Sequence, residues 1–205
     1  MVKGTICLLS GGIDSFVLID FLIRQKFEVI CLFVDYGQLA ARYEYKAFQK
    51  ICQYEKINYS YKVRLKNFGD NIITGLTNKE IYNDFFPSRN LLLICLASSF
   101  LWSHNFNYIS IGVIKSTRIF PDCQRDYFND LEKILSISTN RDIKILTPLE
   151  DFTKIDIIKY IKKFKLPFDY SYSCQKGQKD HCKKCPSCKE RFSSLKNLKN
   201  YLNEI

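Results

Sequence analysis

The sequence predicts an α/β fold: a doubly wound, mostly parallel five-stranded sheet with a C-terminal helical and cysteine-bearing extension. Three observations predict it. Short apolar runs alternate with helix-length runs through the first 165 residues, the pattern of strands joined by crossover helices. The run Thr5 to Leu9 is apolar and enters Ser10-Gly11-Gly12-Ile13-Asp14-Ser15, a glycine turn that opens a helix. An apolar strand of this kind suits a sheet covered on both faces. Beyond the last strand, four of the 9 cysteines gather at Cys174, Cys182, Cys185 and Cys188. The expected division is an α/β domain over 1–165 and a four-cysteine tail over 166–205, packed on the same domain.

The elements follow in order. Thr5 to Leu9 is the first strand and Ser15 to Gln25 the first helix. Glu28 to Phe33 is a second strand, ending at Val34-Asp35-Tyr36-Gly37-Gln38, and Leu39 to Cys52 is helical. Asn58 to Val63 alternates and reads as strand three. Arg64 to Asp84 has no steady period and holds Gly69, Gly75 and several Asn; it reads as a long connection over the active face. Pro87-Ser88-Arg89-Asn90 precedes an apolar helix, Leu91 to Trp102. Tyr108 to Val113 is strand four, Ile114 to Cys123 a loop, Arg125 to Leu135 a helix and Ile143 to Leu146 strand five. Phe152 to Phe164 is a helix with Thr153 as N-cap and Asp156 three residues on.

A strand, a tight glycine turn and a helix start present free backbone N–H groups to an anion. Gly11 and Gly12 let the backbone approach a ligand, Ser10 and Ser15 add hydroxyl donors, and the Asp14 carboxylate stands where it can meet a metal ion or orient a nucleotide. Leu9 to Ser15 is therefore read as a phosphate-binding loop for the α-phosphate and pyrophosphate of ATP, with an ordinary capped βα turn as the plain alternative. Asp35 closes the second strand, the end at which α/β nucleotide folds contact ribose or base; the alternative is a turn residue. Arg89 sits near a helix N-terminus and is able to clamp a phosphate or carboxylate, or simply to stand at the surface. His104 reads as a packing residue and His181 as no ligand, because four thiolates already complete a site.

The spacing C-x7-C-x2-C-x2-C supplies four thiolates for one tetrahedral zinc, a closed and therefore structural site. Lys, Gly, Gln, Pro and Ser between them build no apolar core, so a metal would supply the folding free energy. An iron–sulfur cluster and a redox dithiol are the competitors. Cys7, Cys31, Cys52 and Cys95 lie in apolar segments and are expected to be small buried hydrophobes.

With 46% hydrophobic and 25% charged residues the chain has material for a core. Its longest apolar runs are too short to span a bilayer and Met1-Val2-Lys3 runs straight into the first strand, so a cytoplasmic protein without membrane contact is expected. The net charge of +10 permits polyanionic partners, although a lysine-rich solvated surface is the favoured explanation.

The loop, the Asp35-Tyr36-Gly37-Gln38 segment, Pro87-x-Arg89-Asn90, Pro121-Asp122-Cys123, Pro148-Leu149-x-x-Phe152-Thr153-Lys154, Leu166-Pro167-x-x-Tyr170-Ser171-Tyr172-Ser173-Cys174 and the remaining cysteines occur in one order. Together they resemble the 7-cyano-7-deazaguanine synthase family, zinc-containing N-type ATP pyrophosphatases with an adenine nucleotide alpha hydrolase-like fold. The resemblance covers nearly the whole chain. It implies that ATP with magnesium activates 7-carboxy-7-deazaguanine as an adenylate, that ammonia displaces AMP to give the amide, and that a second activation yields the nitrile in queuosine biosynthesis. It implies catalytic roles for Ser10, Asp14, Ser15 and Arg89, ATP contacts from Leu9, Ser10, Gly11, Gly12, Ile13, Asp14, Ser15 and Asp35, and substrate contacts from Arg89, Asn90, Asp122 and Cys123. Zinc falls to Cys174, Cys182, Cys185 and Cys188, and a homodimer is compatible with the family. Lys115 to Phe120 and Gln124 depart from the family pattern near the expected base site. The alternatives are therefore a paralogue that stops at the amide or uses another amine, a tRNA-modifying enzyme with the same loop, and a non-enzymatic zinc-ribbon nucleic-acid binder.

Overall fold

Hydrogen-bonded strands in the order β3-β2-β1-β4-β5, all parallel, form the centre of the molecule. The computed structural model describes residues 3–81 and 85–203, with side chains to residue 196. Residues 1–2, 82–84 and 204–205, which the readings of the amino terminus, the long connection and the tail touch, lie outside the described residues. The strands are β1 Gly4–Leu8, β2 Glu28–Asp35, β3 Ser60–Arg64, β4 Tyr108–Ser110 and β5 Lys144–Leu146. The α-helices are α1 Ile13–Arg24, α2 Ala41–Tyr54, α3 Arg89–His104, α4 Arg125–Thr139, α5 Lys154–Phe164 and α6 Pro186–Asn203. Short 3₁₀ turns at Gly69–Asn71, Lys115–Ile119, Pro121–Cys123 and Phe168–Tyr170 punctuate the connections.

Successive strand residues point to opposite faces, and the two cores follow that alternation. Cys7, Cys31 and Phe33 meet Phe16 of α1, Phe48 of α2 and Ile157 of α5 on one face. Ile6, Ile30, Leu32 and Ile109 meet Ile94 of α3 and Phe128 of α4 on the other. Changing direction between β1 and β4 puts the topological switch point at the carboxyl ends of those two strands, where open α/β sheets bind ligands.

Three sequence expectations shift. α1 begins at Ile13, two residues early, because Gly12 takes the extended N-cap conformation and Ile13 is buried; Asp14 thus lies in the first turn. α3 likewise begins at Arg89. β4 stops at Ser110 as the chain crosses over the start of α1, Gly112 packing against Ser15. Cys7, Cys31 and Cys52 are buried as expected, but Cys95 is exposed. α3 turns Ile94, Ala97 and Leu101 to the sheet and leaves Leu91, Cys95 and Trp102 on its outer side, a choice of face that an all-apolar helix does not announce. His104 closes α3 and its Nε2 lies 3.0 Å from Tyr61 Oη, a packing role. Among the described residues no helix is long and apolar enough to cross a membrane.

Glu55 is the C-cap residue of α2. Glu55 Oε1 is buried without a hydrogen-bond partner. Desolvation first, then repulsion from Asp20, pushes Glu55 up to about 7 against the pull of Arg24. A carboxyl raised on folding is fully accommodated below its unfolded pKa, and the folded state loses stability as pH rises through about 7. Glu55→Gln is accordingly expected to raise Tm relative to the parent chain above about pH 8 and to change it little below about pH 5, as read by thermal melts across pH.

Candidate active site

A cavity of about 320 Å³ opens at the switch point. Its floor is the β1–α1 turn. Gly11 holds φ +81°, and a Cβ there would stand 2.5 Å from the Glu44 carbonyl oxygen and 3.0 Å from Ala47 Cβ. No side chain caps α1, so its first N–H groups face the cavity with the positive end of the helix dipole. Ser10 and Ser15 hydroxyls lie 3.2 Å apart, and Ser15 Oγ donates to the Gly12 carbonyl at 3.0 Å. The cavity is lined by Leu9, Ser10, Gly12, Ile13, Asp14 and Ser15 of this turn, with Gly11 buried beneath it.

Asp14 is not left to solvent. Lys154, the first residue of α5, donates to both its oxygens at 2.8 and 3.0 Å, and the same ammonium lies 3.1 Å from Glu190 of α6. Burial works against the Lys154 charge, but Asp14 and Glu190 outweigh it and hold its pKa above the ordinary value. Three distant segments therefore meet on one cation.

Arg89 and Asn90 line the opposite wall at the start of α3. Desolvation opposes the Arg89 charge, yet its hydrogen bond to Tyr36 and the nearby Asp122 hold its pKa above the ordinary value. Asn90 Nδ2 donates to the Asp122 carbonyl at 2.9 Å and to Cys123 Sγ at 3.3 Å, and the Asn90 N–H reaches Asp122 Oδ2 at 3.3 Å. Cys123 lines the cavity; Asp122 does not and instead ties the 3₁₀ turn to α3. Burial, reinforced by Asp122, raises the Cys123 thiol to about 11 against the Asn90 hydrogen bond and Arg89, so it stays neutral at physiological pH. Asp35 also lies outside the lining. Its carboxylate faces Lys62 and Arg64 of β3, each at 3.7 Å, and accepts from the Gly37 N–H at 3.3 Å.

The cysteine-bearing segment forms the remaining wall through Tyr172, Ser173, Gln175, Ser187, Glu190 and Arg191. It is fastened to the turn by the Tyr172 N–H, which donates to the Gly11 carbonyl at 2.9 Å. Arg191 Nη1 donates to Ser171 Oγ at 2.8 Å and Nη2 to the Phe168 carbonyl at 3.3 Å. The four sulfurs of Cys174, Cys182, Cys185 and Cys188 lie within 4.8 Å of one another, with Cys182 and Cys188 at 3.8 Å. A tetrahedron with about 2.3 Å metal–sulfur bonds has edges of about 3.8 Å, so these thiols are spaced for one metal ion. Backbone N–H groups of Cys182 and Cys185 donate to Cys174 Sγ and Cys182 Sγ, both at 3.3 Å. The His181 ring packs 4.8 Å from Tyr172, outside the sulfur group.

Lys154 and Gln38 were visible in the Phe-Thr-Lys and Asp-Tyr-Gly-Gln motifs without a role, and Glu44 and Glu190 carried no signal at all. The Lys154 pairing is the one that sequence distance hides most: Lys154 is 140 residues from Asp14.

The family model described as "Queuosine biosynthesis protein QueC" matches residues 4–199. The 7-cyano-7-deazaguanine synthase of Picrophilus torridus is 35% identical over 206 residues, covering 93% of this chain and 86% of the relative. The 7-cyano-7-deazaguanine synthase of Campylobacter curvus is 29% identical, covering 93% and 92%. Among solved structures, NMN synthetase from Francisella tularensis shares the fold with a TM-score of 0.57 at 10% identity, covering 99% of this chain and 85% of that one.

Cys185→Ser removes one buried ligand from the sulfur group. It is expected to lower the metal content of the purified chain, measured by emission spectrometry, and to lower Tm, because metal binding and folding of such a segment are coupled. Gly11→Ala, which forces a Cβ onto the Glu44 carbonyl at positive φ, is expected to weaken nucleotide binding, read by calorimetry, by about tenfold or more, as a strained backbone costs about 1–3 kcal/mol.

Proposed function

The chain belongs to the QueC family of queuosine biosynthesis proteins, and from that premise we propose that it is an ATP-dependent carbon–nitrogen ligase making 7-cyano-7-deazaguanine from 7-carboxy-7-deazaguanine and ammonia. The observation that carries the reading is the uncapped start of α1 opening into the switch-point cavity, with Asp14 and Lys154 paired beside it and Arg89 across from it. The Leu9–Ser15 turn receives the phosphates of ATP through N–H groups and the Ser10 and Ser15 hydroxyls. Asp14 is the carboxylate that meets magnesium, and Lys154, already beside it, offsets charge on the departing pyrophosphate. Arg89, half-buried in the cavity wall, faces the substrate carboxylate and favours the developing oxyanion. Asn90 and Cys123 border the deazapurine. Catalysis then rests on positioning and fixed charge rather than on a protein nucleophile.

Cys174, Cys182, Cys185 and Cys188 hold one zinc in a closed, structural site. The 3.8 Å edge supports a mononuclear centre over a cluster, whose irons would stand between the thiolates and spread them. Its function is to keep Tyr172, Ser173 and Glu190 in the cavity wall.

Sulfur transfer to tRNA is disfavoured by the site: Cys123 is the single cysteine lining the cavity among the described residues, and it is a neutral thiol. The departure at Lys115 to Phe120 supports a second product, the amide, because Thr117 and Phe120 of that stretch line the cavity.

Incubation with ATP, magnesium, ammonium and 7-carboxy-7-deazaguanine, followed by mass spectrometry of the base, tests this. Nitrile is expected, with at least about 100-fold loss in Asp14→Asn, the scale of removing one preorganised charge contact. Amide without nitrile selects the second product, and no ATP-dependent change discards the substrate.

A further inference from the structure

Three carboxylates line the cavity: Asp14, Glu44 and Glu190. Asp14 and Glu190 share the Lys154 ammonium. Glu44 is the third, and no Lys or Arg among the described residues lies within ion-pair distance of it. It is placed with care nonetheless. Gln38 Nε2 donates to Glu44 Oε2 at 2.9 Å. The same Gln38 amide is locked from both ends: its nitrogen also donates to the Val34 carbonyl at 3.1 Å, and its oxygen accepts from the Tyr36 N–H at 2.9 Å. The Glu44 carbonyl lies against Gly11, so this turn of α2 is packed on the phosphate-binding turn itself. Among the described residues Gln38 is the one side chain that hydrogen-bonds the Glu44 carboxylate, and Glu44 lines the cavity.

The nucleophile of the proposed reaction arrives as ammonium, a cation with four N–H donors and no lone pair. It needs an anionic acceptor to bind and a base to make it reactive. We propose that Glu44 binds the incoming ammonium ion and takes one of its protons, releasing ammonia against the adenylated carboxylate. The inference rests on the ligase reading above. In the step, one N–H bond of ammonium breaks and its proton passes to Glu44, leaving neutral ammonia and a carboxylic acid. The nitrogen lone pair forms the C–N bond, the C–O bond to AMP breaks, and its electron pair leaves on AMP. The excess proton on the new nitrogen goes to water, and Glu44 returns its own proton to solvent through the cavity mouth.

The surroundings of Glu44 suit a base. Desolvation raises it to about 7, the Gln38 hydrogen bond and Arg89 oppose that rise, and Asp35 adds to it. The other facing groups, Tyr36 and Tyr172, are phenols pushed up by burial and stay neutral. A base poised near the working pH balances being ionised against being able to hold the proton.

The test compares the whole chain with Glu44→Gln, which keeps the shape and an acceptor for Gln38. Acid-dependent exchange of pyrophosphate into ATP, measured without ammonium, reports adenylation. Product is then measured against ammonium and, separately, against hydroxylamine, a nucleophile that is already neutral at pH 7. In Glu44→Gln the preference for hydroxylamine over ammonium is expected to rise by about 100-fold, the scale of one general base. Raising the pH is expected to narrow the ammonium defect as free ammonia becomes available. A variant that matches the parent chain in its ammonium dependence overturns the assignment. So does one that loses exchange, ammonium use and hydroxylamine use in the same proportion, since that is the signature of a displaced turn. A parent chain without acid-dependent exchange overturns the ligase reading itself, and this assignment with it.

Discussion

The backbone reversal at Gly11 is the constraint on which the site depends. At φ +81° with the Glu44 carbonyl pressed against it, the position admits no side chain without strain. Its own carbonyl accepts the Tyr172 N–H. One residue without a Cβ thus lets α2, the β1–α1 turn and the cysteine-bearing segment pack on one another. The rest of the cavity is built outward from that contact. α1 leaves the turn with an uncapped N-terminus because Gly12 has no side chain to close it, and β4 ends where it must pass over the same place.

Around this backbone the charges are arranged in a way that suits anions in transit. Lys154 is held between Asp14 and Glu190, so it is fixed before any ligand arrives. Arg89 hydrogen-bonds the Tyr36 phenol and lies near the Asp122 carboxylate in the cavity wall. Preorganisation of this sort spares the reaction the cost of reorienting dipoles. The cysteine segment takes part through Glu190 and Tyr172, so its order and that of the cavity wall are linked by packing. Burying so few apolar side chains of its own, chiefly Tyr172 and the cysteines against Ala40 and Ala47, this segment gains little from the hydrophobic effect, and a metal held by its four thiols would add folding free energy.

Several features could be read locally because they depend on neighbours in sequence. Apolar runs and their spacing marked all five strands and the helices between them, since burial on two faces writes its pattern along the chain. The Ser-Gly-Gly turn and the cysteine spacing are likewise local: a turn needs adjacent glycines, and metal ligands on a short segment need close spacing. Errors arose where a local pattern met two possible environments. Cys95 sits in an apolar helix but on its outer side. Asp35, at the end of a strand, is a different case: β3 brings Lys62 and Arg64 to its carboxylate, a pairing that only the fold shows.

By itself, then, the sequence determined the parallel α/β architecture, the glycine turn that opens the first helix and the four-thiol group, all of them written in local patterns. Only the tertiary structure decided which charges meet there. The pairing of Lys154 with Asp14 spans 140 residues, and Glu44 becomes a lining carboxylate only because α2 packs its first turn on Gly11. Electrostatic partnerships depend on distance in space, and no local period or motif records that distance.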